Sequence, residues 1–380
     1  VPDIVTNKPL ARFFADIKST PEVLSSSYYP SLNGLRGIAI MMVLLDHLKL
    51  SDNLIYLNIF NGKLGVLIFF VLSGFLITTL CIKEIVATQT ISLKDFYIRR
   101  VLRIFPVAYL FILVIIILNI VFKLGISYIQ IFGAALYLMN FSSYFRKYNF
   151  TWDTAHFWSL AVEEQFYLIV PFILKKNFRV YLSLILLIVF ALPFGIMLQY
   201  HFTFLDNVVF NGFTHYLIKF QAIAVGCFFS IMMFKYPVGH VLIKTKIIAN
   251  ILAVFLIFYI HYDNLFTVND IFSGLAISLL IGYLIVSNII PERDLIFRIL
   301  NSKILNTIGV LSYSIYIWQQ LFTSADSKLP KFMVVFPYNL FCIVAVSSLS
   351  YYFYESFFLR LKARYSKIKK DKLNTAAYAG

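Results

Sequence analysis

Apolar residues run along this chain in long unbroken stretches rather than in alternation with polar ones. Alternation would mark lipid-facing β-strands, whereas continuous runs of roughly 20 residues mark helices that cross a ~30 Å hydrocarbon layer. Ten runs qualify: 34–50, 64–82, 101–122, 158–174, 178–200, 213–234, 246–262, 271–290, 304–324 and 334–357. An eleventh, 126–139, is short and holds Gln130 and Gly133. The pattern predicts an all-α polytopic membrane protein. About ten transmembrane helices are expected, with 126–139 as one additional re-entrant or interfacial segment.

Composition agrees with lipid as the main solvent. Of 380 residues, 60% are hydrophobic and only 13% are charged, with mean hydropathy +0.82. A soluble domain carries roughly a quarter charged residues. Forty Phe and 25 Tyr suit the apolar slab and its headgroup borders. The three cysteines, Cys81, Cys227 and Cys342, lie in or beside apolar runs without ligand-like spacing, so they read as small core residues. The first thirty residues mix short apolar patches with Asp3, Lys8, Arg12, Asp16, Lys18 and Glu22, so no cleavable signal peptide is expected.

A net charge of +15 raises the question of a nucleic-acid partner. The placement of the charges answers it. With ten spans and a cytoplasmic N-terminus, 25 of the 33 Lys and Arg fall on the cytoplasmic side and seven on the other. That bias fixes the orientation by the positive-inside rule. If 126–139 also crossed, the basic stretch from Arg360 to Lys372 would face outward. Both termini are therefore expected in the cytoplasm: 1–33 as a cytoplasmic N-terminal segment, 34–358 as the transmembrane unit, 359–380 as a basic cytoplasmic tail. The charge is mainly a topology signal, with anionic lipids as a further contact for the tail and no nucleic acid as partner.

Ionisable groups inside spans are expensive and usually functional. Arg36 and His47 are 11 residues apart, which puts them on one helix face about 16 Å apart along the axis. A neutral imidazole in the outer half can take a proton from a hydroxyl near neutral pH. The same pair also fits an interfacial His and a topology charge. Arg99, Arg100 and Arg103 stand at the cytoplasmic start of the third span, with Arg99 and Arg103 on one face, and guanidinium forks suit phosphate oxygens. Positive-inside anchoring explains them equally. In His156-Phe157-Trp158-Ser159-Leu160-Ala161-Val162-Glu163-Glu164-Gln165-Phe166-Tyr167, two carboxylates open an apolar run. His156 and Glu163, seven apart, share a face, and Glu163 is expected at a depth similar to His47. Ser73-Gly74 and Ser312-Tyr313-Ser314 supply small and hydroxyl residues of the kind that join helices in lipid.

In chain order, these strings resemble the acyltransferase 3 family of integral membrane acyltransferases, over residues 28 to 358. They are Tyr29-Pro30-Ser31-Leu32-Asn33-Gly34-Leu35-Arg36-Gly37-Ile38-Ala39, then Gly65-Val66 through Ser73-Gly74-Phe75, and Phe96-x-x-Arg99-Arg100. Phe157-Trp158-Ser159-Leu160 follows with Glu163 and Phe166-Tyr167, and then Ser312-Tyr313-Ser314 with Trp318. The resemblance implies transfer of an acyl group, usually acetyl, from cytoplasmic acyl-CoA to a hydroxyl of a cell-surface or lipid-linked glycan. It implies no metal. It implies His47 as catalytic base and Arg36, Arg99 and Arg100 as the acyl-CoA site, with Arg103 helping. The similar depth of Glu163 makes it the candidate carboxylate to orient the imidazole, and whether the two touch is left open by the sequence. His156, Trp158, Glu164, Tyr167, Ser73, Ser312 and Tyr313 are left as substrate contacts or structural support. The chain departs from the family pattern at Asn33, Gln319 and Glu355-Ser356-Phe357, which puts roles at 33, 319 and 355 in doubt. Together with the charge asymmetry, the resemblance implies a multi-pass protein of a bacterial inner (cytoplasmic) membrane. A proton-coupled transporter or flippase of a glycan or lipid precursor is the alternative that the intramembrane His, Glu and Arg also permit.

Overall fold

A computed structural model describes residues 13–26, 28–51, 59–145, 151–201, 214, 216–236, 246–263, 270–289, 294–324 and 328–365. Among them there are helices and no strand. The main helices are α1 (Pro30–Leu48), α2 (Gly62–Thr88), α3 (Leu93–Phe122), α4 (Tyr128–Ala135) and α5 (Phe157–Lys176). Next, α6 runs through Phe178–Leu186, a wide π-type turn at Leu187–Ala191, and Leu192–His201. Then come α7 (Gln221–Lys235), α8 (Lys246–Asp263), α9 (Asp270–Ile289), the short α10 (Leu295–Leu300) and α11 (Lys303–Phe322). The last, α12, runs through Tyr338–Leu349, a π-type turn at Ser350–Glu355, and Ser356–Ala363.

Every one of the ten predicted spans carries helix. Six helical stretches are long and apolar enough to cross a membrane unaided: Gly62–Thr88, Leu93–Phe122, Trp152–Lys176, Phe178–Leu198, Phe272–Ile289 and Tyr338–Ala363. The others are shorter or, as in α1 and α11, carry the polar groups discussed below. Large apolar side chains such as Ile120, Ile248 and Phe353 stand exposed on outer faces, which in a membrane protein is the surface that lipid covers. The predicted interfacial stretch holds the eight-residue α4, about 12 Å long and far short of a bilayer core.

Helix ends follow local chemistry. Asn61 caps α2 by accepting from the backbone N–H groups of Lys63 and Leu64, and Gln89 closes it in a left-handed conformation (φ 60°). The centre of the bundle is held by glycines, as lipid-phase helix packing requires. A Cβ on Gly309 would collide with the Asn33 carbonyl, and one on Gly37 with the Leu305 carbonyl, so α11 lies backbone-to-backbone along α1, while Gly34 meets the Leu300 carbonyl at the end of α10. Gly74 on α2 meets the Ile223 carbonyl of α7 in the same way, and Gly226 of α7 meets the Val71 carbonyl. Gly62 and Gly65 bring α2 against Asp46 and Ala39 of α1. Of the predicted packing residues Ser73 and Gly74, Gly74 provides the close approach, while Ser73 has a polar partner. At the start of the described chain, buried Leu24 and the bonds from Lys83 Nζ to the carbonyls of Ser25 (3.1 Å) and Ser26 (2.8 Å) tie residues 22–26 to α2.

Candidate active site

The contacts Asn33–Gly309 and His47–Gln319 run α11 parallel to α1, and Gly62 against Asp46 with Gly65 against Ala39 runs α2 antiparallel to α1. Arg36 therefore marks one end of a central track and His47 the other. At the His47 end, Nδ1 lies 2.8 Å from Gln319 Oε1. Gln319 Nε2 donates to Gln320 Oε1 (3.2 Å), and Gln320 Nε2 donates to the backbone carbonyl of Trp152 (2.8 Å). Both glutamines are buried in α11. The Trp152 ring meets His47 edge-on, with centroids 5.0 Å apart. Trp152 and Trp158, both exposed in part, line a cavity of about 280 Å³ with Met139, Ser142, Thr151 and Ala155. The α4 segment braces this mouth: buried Gln130 donates to Thr154 Oγ1 (2.7 Å) and to the Thr151 carbonyl (2.9 Å), and accepts from Thr151 N–H (3.0 Å).

At the Arg36 end, a second cavity of about 90 Å³ is lined by Arg36, Ser73, Arg100, Arg103, Glu163 and Ser312, among others. Here the structure corrects the expected depth of Glu163. Ser73, eight residues past Gly65 and so about 12 Å further toward the Arg36 end, donates to Glu163 Oε1 (3.0 Å). Tyr167 Oη donates to the other carboxylate oxygen (3.4 Å). Glu163 thus serves the Arg36 end, and the group that meets His47 Nδ1 is Gln319. The reason is helix rise: α5 reaches the His47 level at its first turn, and Glu163 is two turns deeper.

The four arginines separate by partner. Arg99 is spoken for, pairing with Glu84 (3.0 Å) and donating to the Tyr365 carbonyl (2.8 Å). Arg103 lines the cavity and pairs with Glu355 (2.8 Å), whose other oxygen accepts from Ser314 (2.6 Å). Arg36 and Arg100 form no ion pair among the described residues. The Arg100 guanidinium lies 3.7 Å from the centre of the Tyr167 ring. Tyr313 donates to the Ile104 carbonyl (2.6 Å) beneath Arg103, and Ser312 is buried against the cavity. Glu164 has a buried oxygen without a hydrogen-bond partner.

His156 does not share a site with Glu163. Its ring is boxed by Phe111, Phe157 and Tyr316, with both nitrogens unpartnered. Its carbonyl accepts from Tyr316 Oη and Ser159 Oγ (both 3.1 Å), which joins α5 to α11. Sequence patterns do not single out Trp152, Gln320 or Glu84; Gln130 marks only the interfacial character of 126–139, and Gln319 and Glu355 stand where the chain departs from the family pattern. Two adjacent glutamines within an apolar helix were the available signal.

Residues 29–355 match the family model described as an acyltransferase domain, Acyl_transf_3. The chain belongs to the acyltransferase 3 family. It is 30% identical over 325 residues to O-acetyltransferase OatA of Staphylococcus aureus (strain NCTC 8325 / PS 47), covering 80% of this chain and 52% of that protein. It is likewise 30% identical over 367 residues to a putative O-acetyltransferase of Staphylococcus aureus (strain COL), covering 87% of this chain and 57% of the relative. The chain thus spans about half the length of the curated relatives it matches. No solved structure matches it.

Proposed function

We propose that this protein is a membrane O-acyltransferase. It moves an acyl group, acetyl by similarity to its relatives, from cytoplasmic acyl-CoA to a hydroxyl of a cell-surface or lipid-linked glycan. The observation that carries the reading is the separation of two chemistries along one track: guanidiniums and Glu163 around a polar cavity at one end, where Arg36 and Arg100 are in no direct ion pair among the described residues, and an imidazole with an aromatic mouth at the other. Arg36 and Arg100, with Arg103 held by Glu355, bind donor phosphates by charge-assisted hydrogen bonds. The acyl thioester then lies along the track toward His47. Trp152 and Trp158 offer flat apolar faces to the C–H face of a sugar ring. His47 takes the proton of the attacking hydroxyl as its oxygen bonds to the thioester carbonyl carbon. The tetrahedral intermediate collapses, the carbon–sulfur bond breaks, and the coenzyme A thiolate leaves.

Charge asymmetry supports an Arg36 end facing the cytoplasm of a bacterial inner membrane, with ten spans and both termini inside. Membership of an acyltransferase family weighs against the transporter alternative. The test is mass spectrometry of surface glycans from cells with the gene, without it, and with His47→Ala. Loss of one acyl increment per repeat in the last two is expected. Purified His47→Ala should lose at least about a hundredfold in transfer, the lower end of what general-base catalysis contributes, while coenzyme A still raises its thermal midpoint. An unchanged glycan profile without the gene would sink the reading.

A further inference from the structure

We infer that Gln319 and Gln320 are positioning residues. They form a one-way hydrogen-bond relay, anchored on the Trp152 carbonyl, that holds His47 as the Nδ1–H tautomer. The inference rests on the reading of His47 as base, because its consequence is to leave the Nε2 lone pair free to take the substrate proton.

The direction of the relay follows from its fixed end. A peptide carbonyl can only accept, so the Gln320 atom 2.8 Å from Trp152 O must be the amide nitrogen. Gln320 Oε1 is then left facing Gln319, and an oxygen there requires the Gln319 Nε2 donor at 3.2 Å. That orientation turns Gln319 Oε1 toward His47, and an amide oxygen accepts only. The proton in the 2.8 Å contact must therefore sit on Nδ1. Flipping either amide would set two donors or two acceptors face to face in a buried site, leaving each such group desolvated without a partner.

The anchor is itself held. Gln130 of α4 grips Thr151 and Thr154 on both sides of Trp152, and the Trp152 indole N–H reaches Thr323 Oγ1 (3.4 Å). The relay thus ties three parts of the bundle to one imidazole. A carboxylate in the place of Gln319 would also fix the tautomer and would add a counter-charge for the imidazolium. The amide supplies orientation without charge, which suits a membrane site where a lone carboxylate is costly to bury.

The experiment uses the full chain in nanodiscs, labelled with ¹⁵N-histidine, at about pH 8, where an ordinary imidazole is neutral. The His47 signals are identified among the six histidines by their loss in His47→Ala. In the parent, Nδ1 should give the protonated-nitrogen shift and Nε2 the unprotonated one. Gln319→Leu should mix or invert that pair and lower acyl transfer by up to the ~10²–10⁴-fold a general base contributes, with coenzyme A binding unchanged. Gln320→Leu should loosen the tautomer less. Gln319→Glu, which still accepts from Nδ1–H, should restore the parent signature. A parent spectrum with the proton on Nε2 overturns the relay, as does a Gln319→Leu protein with unchanged tautomer and rate. Full transfer by His47→Ala would instead remove the base beneath the relay, and the nitrogen shifts separate those two failures.

Discussion

Arginines 36, 99, 100 and 103 crowd one end of the central track, and their partners divide the work. Arg99 already has a carboxylate and a carbonyl, so its charge is committed to holding α3 against α2 and residue 365. Arg100 is in no direct ion pair among the described residues: its guanidinium lies over the Tyr167 ring and faces the cavity that Glu163 also lines. Arg99→Ala should therefore lower stability by about 1.5–3 kcal/mol, the range for a charged hydrogen bond, and leave coenzyme A affinity near the parent value. Arg100→Ala should weaken coenzyme A binding by about tenfold or more with a smaller change in thermal midpoint. Calorimetric titration with coenzyme A beside a thermal scan distinguishes the two. Equal loss of affinity in both variants would return Arg99 to the donor site, where the family resemblance places it. At the mouth, Trp158→Ala should raise the acceptor KM and leave donor binding intact, whereas Trp158→Phe should keep most of the stacking surface.

At the level of helices, the site depends on backbone contacts that only glycine permits. Gly309 lets α11 lie against Asn33, and ten residues along α11 the same packing delivers Gln319 to His47. Gly309→Val should push the helices apart, lower the thermal midpoint and cut transfer roughly a hundredfold, since about 1 Å of misplacement suffices for that. Gly195 in α6 has open space around its would-be Cβ among the described residues. Gly195→Ala should be neutral or stabilising by roughly 0.5–1 kcal/mol through helix propensity. Similar melting of both variants would show that the α1–α11 contact is not a close one. The π-type turn in α12 belongs to this scale too: it ends at Glu355, which is buried and holds Arg103 although its neighbours Tyr352 and Phe353 face outward. Such turns are frequent at functional sites because the extra residue shifts the phase of the helix face.

For the whole molecule, the charge distribution makes a prediction that packing alone does not. Seven basic residues fall between 358 and 380, so a reporter active only outside the cytoplasm should be silent when fused after Gly380. Activity there would reverse the orientation and place the arginine cavity away from the coenzyme A pool. In the described structure α4, at eight residues, is too short to cross a bilayer core.

Ten apolar runs, the basic side and the family strings were legible because each is a local property: hydropathy, charge and motif do not depend on what a residue touches. Arg36 and His47 were placed on one face because both ride the same helix, where 3.6 residues per turn settles the geometry. Between helices that rule is silent. Glu163 went to Arg36 rather than to His47 because the entry level of α5 is set by its loop and its packing on α2, neither of which periodicity encodes. Gln319 and Glu355 looked like weak departures from a pattern, yet a buried amide or carboxylate must find a partner, and only the assembled bundle shows that the partners are His47 and Arg103. The sequence determined the solvent, the class and the chemical groups available. The tertiary structure decided which of those groups meet, since that depends on the relative height and rotation of helices far apart in the chain.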